Sequence, residues 1–558
     1  MKSFRSFLIA LLSILALKAT AQTPSLHWAR QIGGEYGNAA YAIATDRNGN
    51  VYTTGFFSKT SDFDPGAGVF NMTAVRSSDI FISKLDRNGQ FVWARQIGSA
   101  EICNAFSMII DAENNVILIG FFSGSTDFDP GPGNFFLSTK GSVANTCVVK
   151  LSPAGDLIWA QQFKSTKPNL GYALATDSEN NIWVTGYFQG TADFAGLTLT
   201  AQSKDVFITK LNASGHCVWA GQFSGTNSTG SSIALDADKN IYIAGSFGDT
   251  LDVDPGPGLH TLHAGGSSSD FFLCKLDAAG NFLWVNQWGN EEALDGAYVA
   301  TDQEAHVYCT GTFRGKLDFD PGPDTNYLFA QYTDGYVTKL DAAGKVVWTK
   351  QFKSVAETGV YPRAIVLEQD GSVLTGGCFT GTADFDPGPG VYTLGAAFPD
   401  QNSFICRLDA EGTFKWAQQF EGLASNVIYS LAVDPSANIY AAGSFTGRTD
   451  FDAGPGKYYL TPFSDYGDIM IFRLGLGVSN IQDAYGQSVF SLYPNPASGS
   501  VTMHTEGTAR VSVSTVLGQE IMLRTVSGQE TIDVSAWADG IYLVKNLGTQ
   551  QVIKFIKK

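Results

Sequence analysis

One ten-residue string recurs in slightly varied form along most of the 558-residue chain, and it restricts the fold more than any other feature. Lys275–Trp284 reads KLDAAGNFLW: the end of one apolar run, a polar turn, and a second apolar run closing on Trp. Close variants begin at Lys84, Lys150, Lys210, Lys339 and Arg407. Trp28, Trp93, Trp159, Trp219, Trp284, Trp348 and Trp416 lie 65, 66, 60, 65, 64 and 68 residues apart. A period of that length, carrying short strands and turns, is the signature of a repeat architecture in which each unit buries its apolar face against the next.

Each period resolves into four runs, seen first as Tyr41–Asp46, Val51–Phe57, Ile80–Leu85 and Phe91–Ile97. They are short, β-branched or aromatic, and bounded by Gly, Asn or Asp. That predicts antiparallel strands A to D with tight A–B and C–D turns and a long B–C loop. Strand B carries glycine at one register: Gly55, Gly120, Gly186, Gly245, Gly311, Gly377 and Gly443. Phe follows two residues later every time, as Phe57, Phe122, Phe188, Phe247, Phe313, Phe379 and Phe445. Glycine weakens a strand, so its repetition implies close backbone approach, expected here from crowding toward a central axis. The Phe is expected in the core between neighbouring sheets. C strands end at Leu85, Leu151, Leu211, Leu276, Leu340, Leu408 and Leu474, but the first Trp-bearing D strand precedes any A strand. Leu26–Ile32 is therefore expected to complete the last unit, closing a ring and removing two exposed sheet edges.

The pattern D-x-x-G-N-x-Y-x-x-G-x-F, seen as Asp236–Phe247 with only its Gly replaced by Lys239, and the K-L-D-x-x-G turn resemble the bacterial β-propeller repeat family over roughly Leu26–Leu474. The resemblance implies an all-β, seven-bladed propeller spanning 22–475 and says little about activity, because such folds host unrelated functions. After Leu474 the period stops. A Gly- and Ser-rich stretch over 476–488 reads as a linker, and alternating short strands over 489–558 read as a small β-sandwich, Ig-like in build. Its runs are Ser500–His504, Arg510–Ser514, Glu520–Arg524, Glu530–Val534, Ile541–Asn546 and Gln551–Ile556. Tyr493-Pro494-Asn495-Pro496, Leu517-Gly518-Gln519, Gly540-Ile541-Tyr542 and the basic end Lys554–Lys558 resemble the C-terminal sorting domain of type IX secretion substrates. That resemblance makes Tyr493, Pro494, Asn495, Pro496, Gly540 and Tyr542 the sorting signal. It implies the type IX machinery as partner and delivery through the periplasm to the cell surface or medium. Residues 1–21 read as a secretory signal: Lys2 and Arg5, an apolar Phe7–Leu17, and small residues at Ala19-Thr20-Ala21. No later segment is a transmembrane candidate.

The net charge is −17, with 16 % charged residues, which disfavours nucleic acid, whose phosphates need a basic surface. Seven cysteines share no spacing and sit in apolar runs, as buried free thiols do. The B–C loops hold the most unusual chemistry: Asp62-Phe63-Asp64, Asp127-Phe128-Asp129, Asp252-Val253-Asp254, Asp318-Phe319-Asp320, Asp384-Phe385-Asp386 and Asp450-Phe451-Asp452. Five of them continue Pro-Gly, the last Ala453-Gly454, and the third unit is shortened to Asp193-Phe194-Ala195-Gly196. Carboxylates at i and i+2 share one face of an extended segment. With loop carbonyls and the polar residue opening strand C (Asp79, Asn145, Asp205, Asp270, Asp334, Asn402 or Asp468), they could coordinate Ca²⁺. The competing reading is a turn device, in which Asp accepts backbone N–H groups and Pro and Gly set φ. It is preferred, because the ligand spacing is sparser than in an EF-hand loop. The A–B turn acids Asp46, Asp111, Asp177, Asp236, Asp302, Glu368 and Asp434 repeat in every unit and are read as turn chemistry. His260 and His263 form a weak H-x-x-H pair without an arranged carboxylate. No G-x-S-x-G, P-loop or H-E-x-x-H motif occurs. The sequence reads best as an exported, non-catalytic binding or adhesion scaffold, with a glycan or protein ligand on the long-loop face. The alternative is a secreted polysaccharide hydrolase or lyase, whose acid pair sequence spacing does not reveal.

Overall fold

The B and C strands are apolar on both faces rather than alternating, and that pattern demands sheets covered on both sides. Ile80, Phe81 and Ile82 on one C strand are all fully buried. The structure is a computed structural model. It describes residues 23–475 apart from positions 266–268, 290–294, 321, 323, 356, 357 and 398. In the C-terminal unit it describes 490–493, 499–515, 519–538, 540–547 and 552–557. The signal-like residues 1–21 and the linker over 476–488 lie outside these. The chain divides into two compact units, 1–481 and 482–558, each taken by itself below.

Among the described residues, strand pairing in the first unit gives seven four-stranded antiparallel meanders. The first runs Ala39–Thr45, Val51–Phe57, Asp79–Leu85 and Phe91–Ser99. The last takes Asn426–Val433, Ile439–Phe445 and Asp468–Gly475 from one end of the unit and Ser25–Gly34 from the other. There Leu26 pairs with Leu474, Trp28 with Arg473 and Ile32 with Ile469. The A strands adjoin one another in order, and the last adjoins the first. Tyr429 and Tyr41 meet edge to face at 5.1 Å across that final junction, and the Ile43 N–H donates to Ser430 Oγ. No sheet edge in this series is left to water where its two ends meet.

The strand-B glycines have a cause other than crowding at an axis. Each A strand bulges once, as between Ala40 and Ala42 or between Ala105 and Ser107. The bulge drives an A-strand carbonyl into the space a B-strand Cβ would fill. A Cβ on Gly55 would lie 2.0 Å from the Ala39 oxygen, and one on Gly120 1.9 Å from the Asn104 oxygen. Close approach is therefore made inside the sheet. The seven strand-B Phe residues are fully buried, as their spacing predicts.

In the C-terminal unit, Ser500–Thr515 is one long strand, and Glu520–Asp533 pairs along most of its length. The sequence suggested a break in each. The chain instead slips register between His504 and Thr508 and continues, a bulge in place of a turn. Phe490–Tyr493 pairs with the first half of the long strand and Gly540–Asn546 with the second, with Val552–Lys557 beyond it. Val501, Val511, Val526, Ile532 and Phe555 form its core.

Gly120→Ala is expected to destabilise the first unit by about 1–3 kcal/mol, because a backbone carbonyl must move to admit the methyl group. Gly395→Ala, where a Cβ meets nothing within 4 Å, is expected to be neutral. Thermal melting of the two variants against the parent checks the contrast.

Candidate functional site

The D-F-D loops were the sequence's best candidate for chemistry, and their hydrogen bonds show how they are used. Asp62 Oδ1 accepts the N–H of Asp64 at 3.0 Å and of Phe70 at 2.8 Å, closing the loop on itself. Asp64 Oδ1 accepts the Gly66 N–H at 2.8 Å. The same three bonds recur at Asp127 and Asp129, Asp252 and Asp254, Asp318 and Asp320, Asp384 and Asp386, and Asp450 and Asp452. In the shortened third loop Asp193 accepts the Gly196 N–H instead. Between the two acids the Phe points inward. Phe63 meets Phe57 edge to face at 5.1 Å, and Phe128, Phe194, Phe319, Phe385 and Phe451 do the same to their strand-B partners. Only the fourth loop, with buried Val253, lacks the ring pair. The motif is a turn pinned to the core by its middle residue.

The polar residue opening each C strand is not brought to these acids. Asp79 accepts the Val75 N–H, the Ser99 N–H and the Gln96 amide, so it ties the loop to strand D. Asn145 makes the equivalent bonds to Gln162 and Ser165. Burial pushes Asp205 and Asp468 each up to about 6. No group of three His, Cys, Asp or Glu placed to hold a metal ion occurs among the described residues. His260 stacks on Phe282 at 4.5 Å, and His263 lies exposed in a short strand. All seven cysteines are free and six are buried; burial raises their thiols, Cys147 to about 12.

The A–B turn acids are bonded to their own turns. Asp46 Oδ1 accepts the N–H of Asn48 and Asn50, and its Oδ2 accepts the Asn50 amide and the Tyr52 hydroxyl. A C-strand Lys adds charge pairing: Lys150 lies 2.8 Å from Asp111 with both groups buried. The sixth meander departs from this scheme. Glu368 replaces Asp, Arg407 replaces Lys, and the guanidinium bridges Glu368 and Asp370.

A contact missed at the level of sequence joins the meanders. The Trp28 Nε1–H donates to the Arg87 carbonyl in the C–D turn of the neighbouring meander at 3.1 Å, and Gly89 of that turn lies against the indole. Trp93, Trp159, Trp284 and Trp348 donate likewise to Pro153, Ala213, Ala342 and Ala410. The constant 60–68-residue spacing of Trp and D-x-x-G turn was the available signal. It gives period but not partner.

The B–C loops also fold back. Phe70 rings with Phe91 at 5.1 Å and Tyr392 with Phe414 at 4.9 Å, so the far half of each loop lies along the D strand of its own meander. Phe136, Tyr327, Phe329, Phe463 and Tyr466 each leave more than half of their surface exposed. In the C-terminal unit, Tyr542 is buried against Trp537 and Phe555 and donates its hydroxyl to the Ala538 carbonyl at 2.7 Å. Gly540 begins the strand that carries it, and Tyr493 ends the strand Phe490–Tyr493. Pro494, Asn495 and Pro496 fall outside the described residues.

Closed repetition of a four-stranded meander, tied by indole and turn, defines an all-β propeller. The beta-propeller repeat family matches residues 27–55, across the junction of the last and first meanders, and the secretion system C-terminal sorting domain family matches residues 491–558. Residues 27–55 thus match a β-propeller repeat, and the sorting domain over 491–558 addresses the chain to the outer cell surface or the medium. An uncharacterized WD repeat-containing protein of Acanthamoeba polyphaga mimivirus is 23 % identical over 77 % of this chain and 36 % of its own length. The regulatory protein FlaEY of Caulobacter vibrioides is 23 % identical over 48 % of this chain and 29 % of its own. The chain spans about a third of the length of these curated relatives. The Neurospora crassa Pan2 WD40 domain aligns over 81 % of this chain and 92 % of its own at 11 % identity, with a TM-score of 0.35.

Two outcomes follow from the acids. Asp62→Ala removes the acceptor of two backbone N–H groups and is expected to cost about 1–3 kcal/mol, while a chelator leaves the melting temperature unchanged. Asp205 and Asp468 hold their protons more tightly folded than unfolded, so their contribution is present below the ordinary value of 3.8 and is lost as pH rises toward 6. Melting temperature is expected to fall between pH 4 and 6, and Asp468→Asn to flatten that fall, as an Asn already serves at Asn145 and Asn402.

Proposed function

We propose that the seven meanders are seven blades of one ring closed by the N-terminal strand, and that the ring is a non-catalytic binding or adhesion scaffold. The sorting domain, an Ig-like sandwich in this reading, delivers it through the type IX secretion machinery. One observation carries the reading: acids that repeat from blade to blade are spent on turns, whereas the exposed aromatic residues of the B–C loops differ from blade to blade. Exposed apolar patches rimmed by polar residues are what interaction surfaces need. Tyr327 and Phe329 on the fifth blade and Phe463 and Tyr466 on the seventh are the strongest of these. A glycan or a protein would meet them on the long-loop surface. The departing blade, the sixth, pairs its acids with Arg407; against the opposing effect of burial, hydrogen bonds from Ser372 and then the Arg407 guanidinium hold Asp370 below the usual carboxylate range. Such a pairing suits recognition better than proton transfer, which needs an acid raised toward neutrality.

A glycan array and a polysaccharide-hydrolysis screen test this together. Retention of at least one polymer without turnover is expected, with Tyr327→Ser and Phe329→Ser weakening it. Turnover of any polymer overturns the scaffold. Removing 490–558 is expected to leave the propeller in the periplasm, and equal surface amounts with and without that domain would sink the delivery route.

A further inference from the structure

The A strands carry a difference between blades that the repeat does not require. Each bulges once, and the bulge frees a side chain from the ladder. In chain order the bulge residues are Tyr41, Phe106, Tyr172, Ser231, Ala297, Arg363 and Tyr429. Four are aromatic, and those four are consecutive once the last blade adjoins the first. Their rings run on from blade to blade: Tyr429 meets Tyr41 at 5.1 Å, Tyr41 meets Phe106 at 5.9 Å, and Phe106 meets Tyr172 at 5.2 Å. The strand-B residue between Gly and Phe backs this arc in three of the blades. Phe56 lies 5.8 Å from Tyr41, Phe121 5.7 Å from Phe106, and Tyr187 6.1 Å from Tyr172. In the other four blades that position holds Ser246, Thr312, Cys378 or Ser444.

Rings that touch across four successive A strands lie on the inner circle of the ring. All seven are half-buried, and none belongs to the core of a blade. Burial raises the hydroxyls of Tyr41, Tyr172 and Tyr187, Tyr172 to about 12, so they stay protonated donors. Among the described residues these three hydroxyls and that of Tyr429 have no hydrogen-bond partner, and none is sealed from water. The A strands of the first three blades end at a hollow of about 330 Å³, lined by Thr45, Arg47, Ile110, Thr176, Ser178 and Asn180 among others. Its size falls in the range of small-ligand pockets.

The geometry points to the axial channel as a binding site for the end of a neutral oligosaccharide. The C–H faces of a pyranose stack on the aromatic arc, and its hydroxyls pair with the tyrosine hydroxyls and with Ser231. Charge selects this class among those that aromatic faces accept. The net charge of −17 opposes a polyanion. A cation, which rings also attract, meets Arg363, whose charge is felt at Tyr41, and Arg47 at the hollow. A neutral sugar meets neither repulsion. The site rests on the closed ring proposed above and not on its long-loop aromatics, since it lies on the axis and toward the A–B turns.

Isothermal titration of the full-length protein with cellohexaose, laminarihexaose and maltohexaose, beside hexagalacturonate and tetramethylammonium, tests this. Saturable binding of at least one neutral hexamer is expected. Tyr172→Phe removes one hydroxyl and is expected to weaken it about fivefold. Ser231→Trp places a bulky ring in the channel and is expected to abolish it, whereas Tyr327→Ser on the long-loop surface is expected to leave it unchanged. Tyr172→Phe keeps the ring and its packing, so that arm stands even if Ser231→Trp does not fold. No saturation by any neutral hexamer, or full affinity in both axial variants, overturns the site. So does tighter binding of hexagalacturonate or tetramethylammonium. Loss on Tyr327→Ser in place of Tyr172→Phe overturns the axial site alone and leaves the long-loop scaffold standing.

Discussion

The indole of a D strand, covered in six of the seven meanders by the glycine turn of the next, is the contact on which the rest of the structure depends. Four-stranded sheets are too small to bury their faces alone, so each survives only in register with its neighbours. The Trp–turn clasp sets that register from outside, and the bulged A strands set it from inside. A donor on the indole and an absent Cβ on the turn make the clasp selective for one geometry.

The abundance of acid has a similar explanation. A chain at −17 pays for its charge with repulsion, yet most of its repeated carboxylates face backbone N–H groups or a Lys or Arg. The D-F-D acids close loops, the C-strand acids tie loop to strand D, and the A–B acids organise a turn, a tyrosine and a lysine. In the proposed scaffold, ligand recognition falls to residues outside the repeat, which the turns and core do not use.

Address and recognition are carried by different parts of the chain. The C-terminal unit carries the address, and its core of Val501, Val511, Val526 and Phe555 folds around strands distinct from the repeat. In the proposed reading the propeller carries whatever is recognised once delivered.

Periodicity was legible in the residues because every unit meets the same packing problem: the Trp spacing, the strand-B Gly-x-Phe and the polar turns each answer it in the same way. The address was legible for the same reason, as a compact set of motifs with one use. The D-F-D string was ambiguous, because an Asp that ligates a cation and an Asp that accepts a backbone N–H look alike in one dimension. In the tertiary structure Phe63 turns into the core and Asp62 accepts the Phe70 N–H, as a turn requires. Tertiary structure also decided that strand-B glycines meet a bulged neighbour and that a Trp reaches the turn of the next unit. The indole contacts join residues about sixty positions apart, and the last meander joins strands from the two ends of the first unit. Local residue pattern carries no distance across such separations, and only the closed packing of the sheets supplies it.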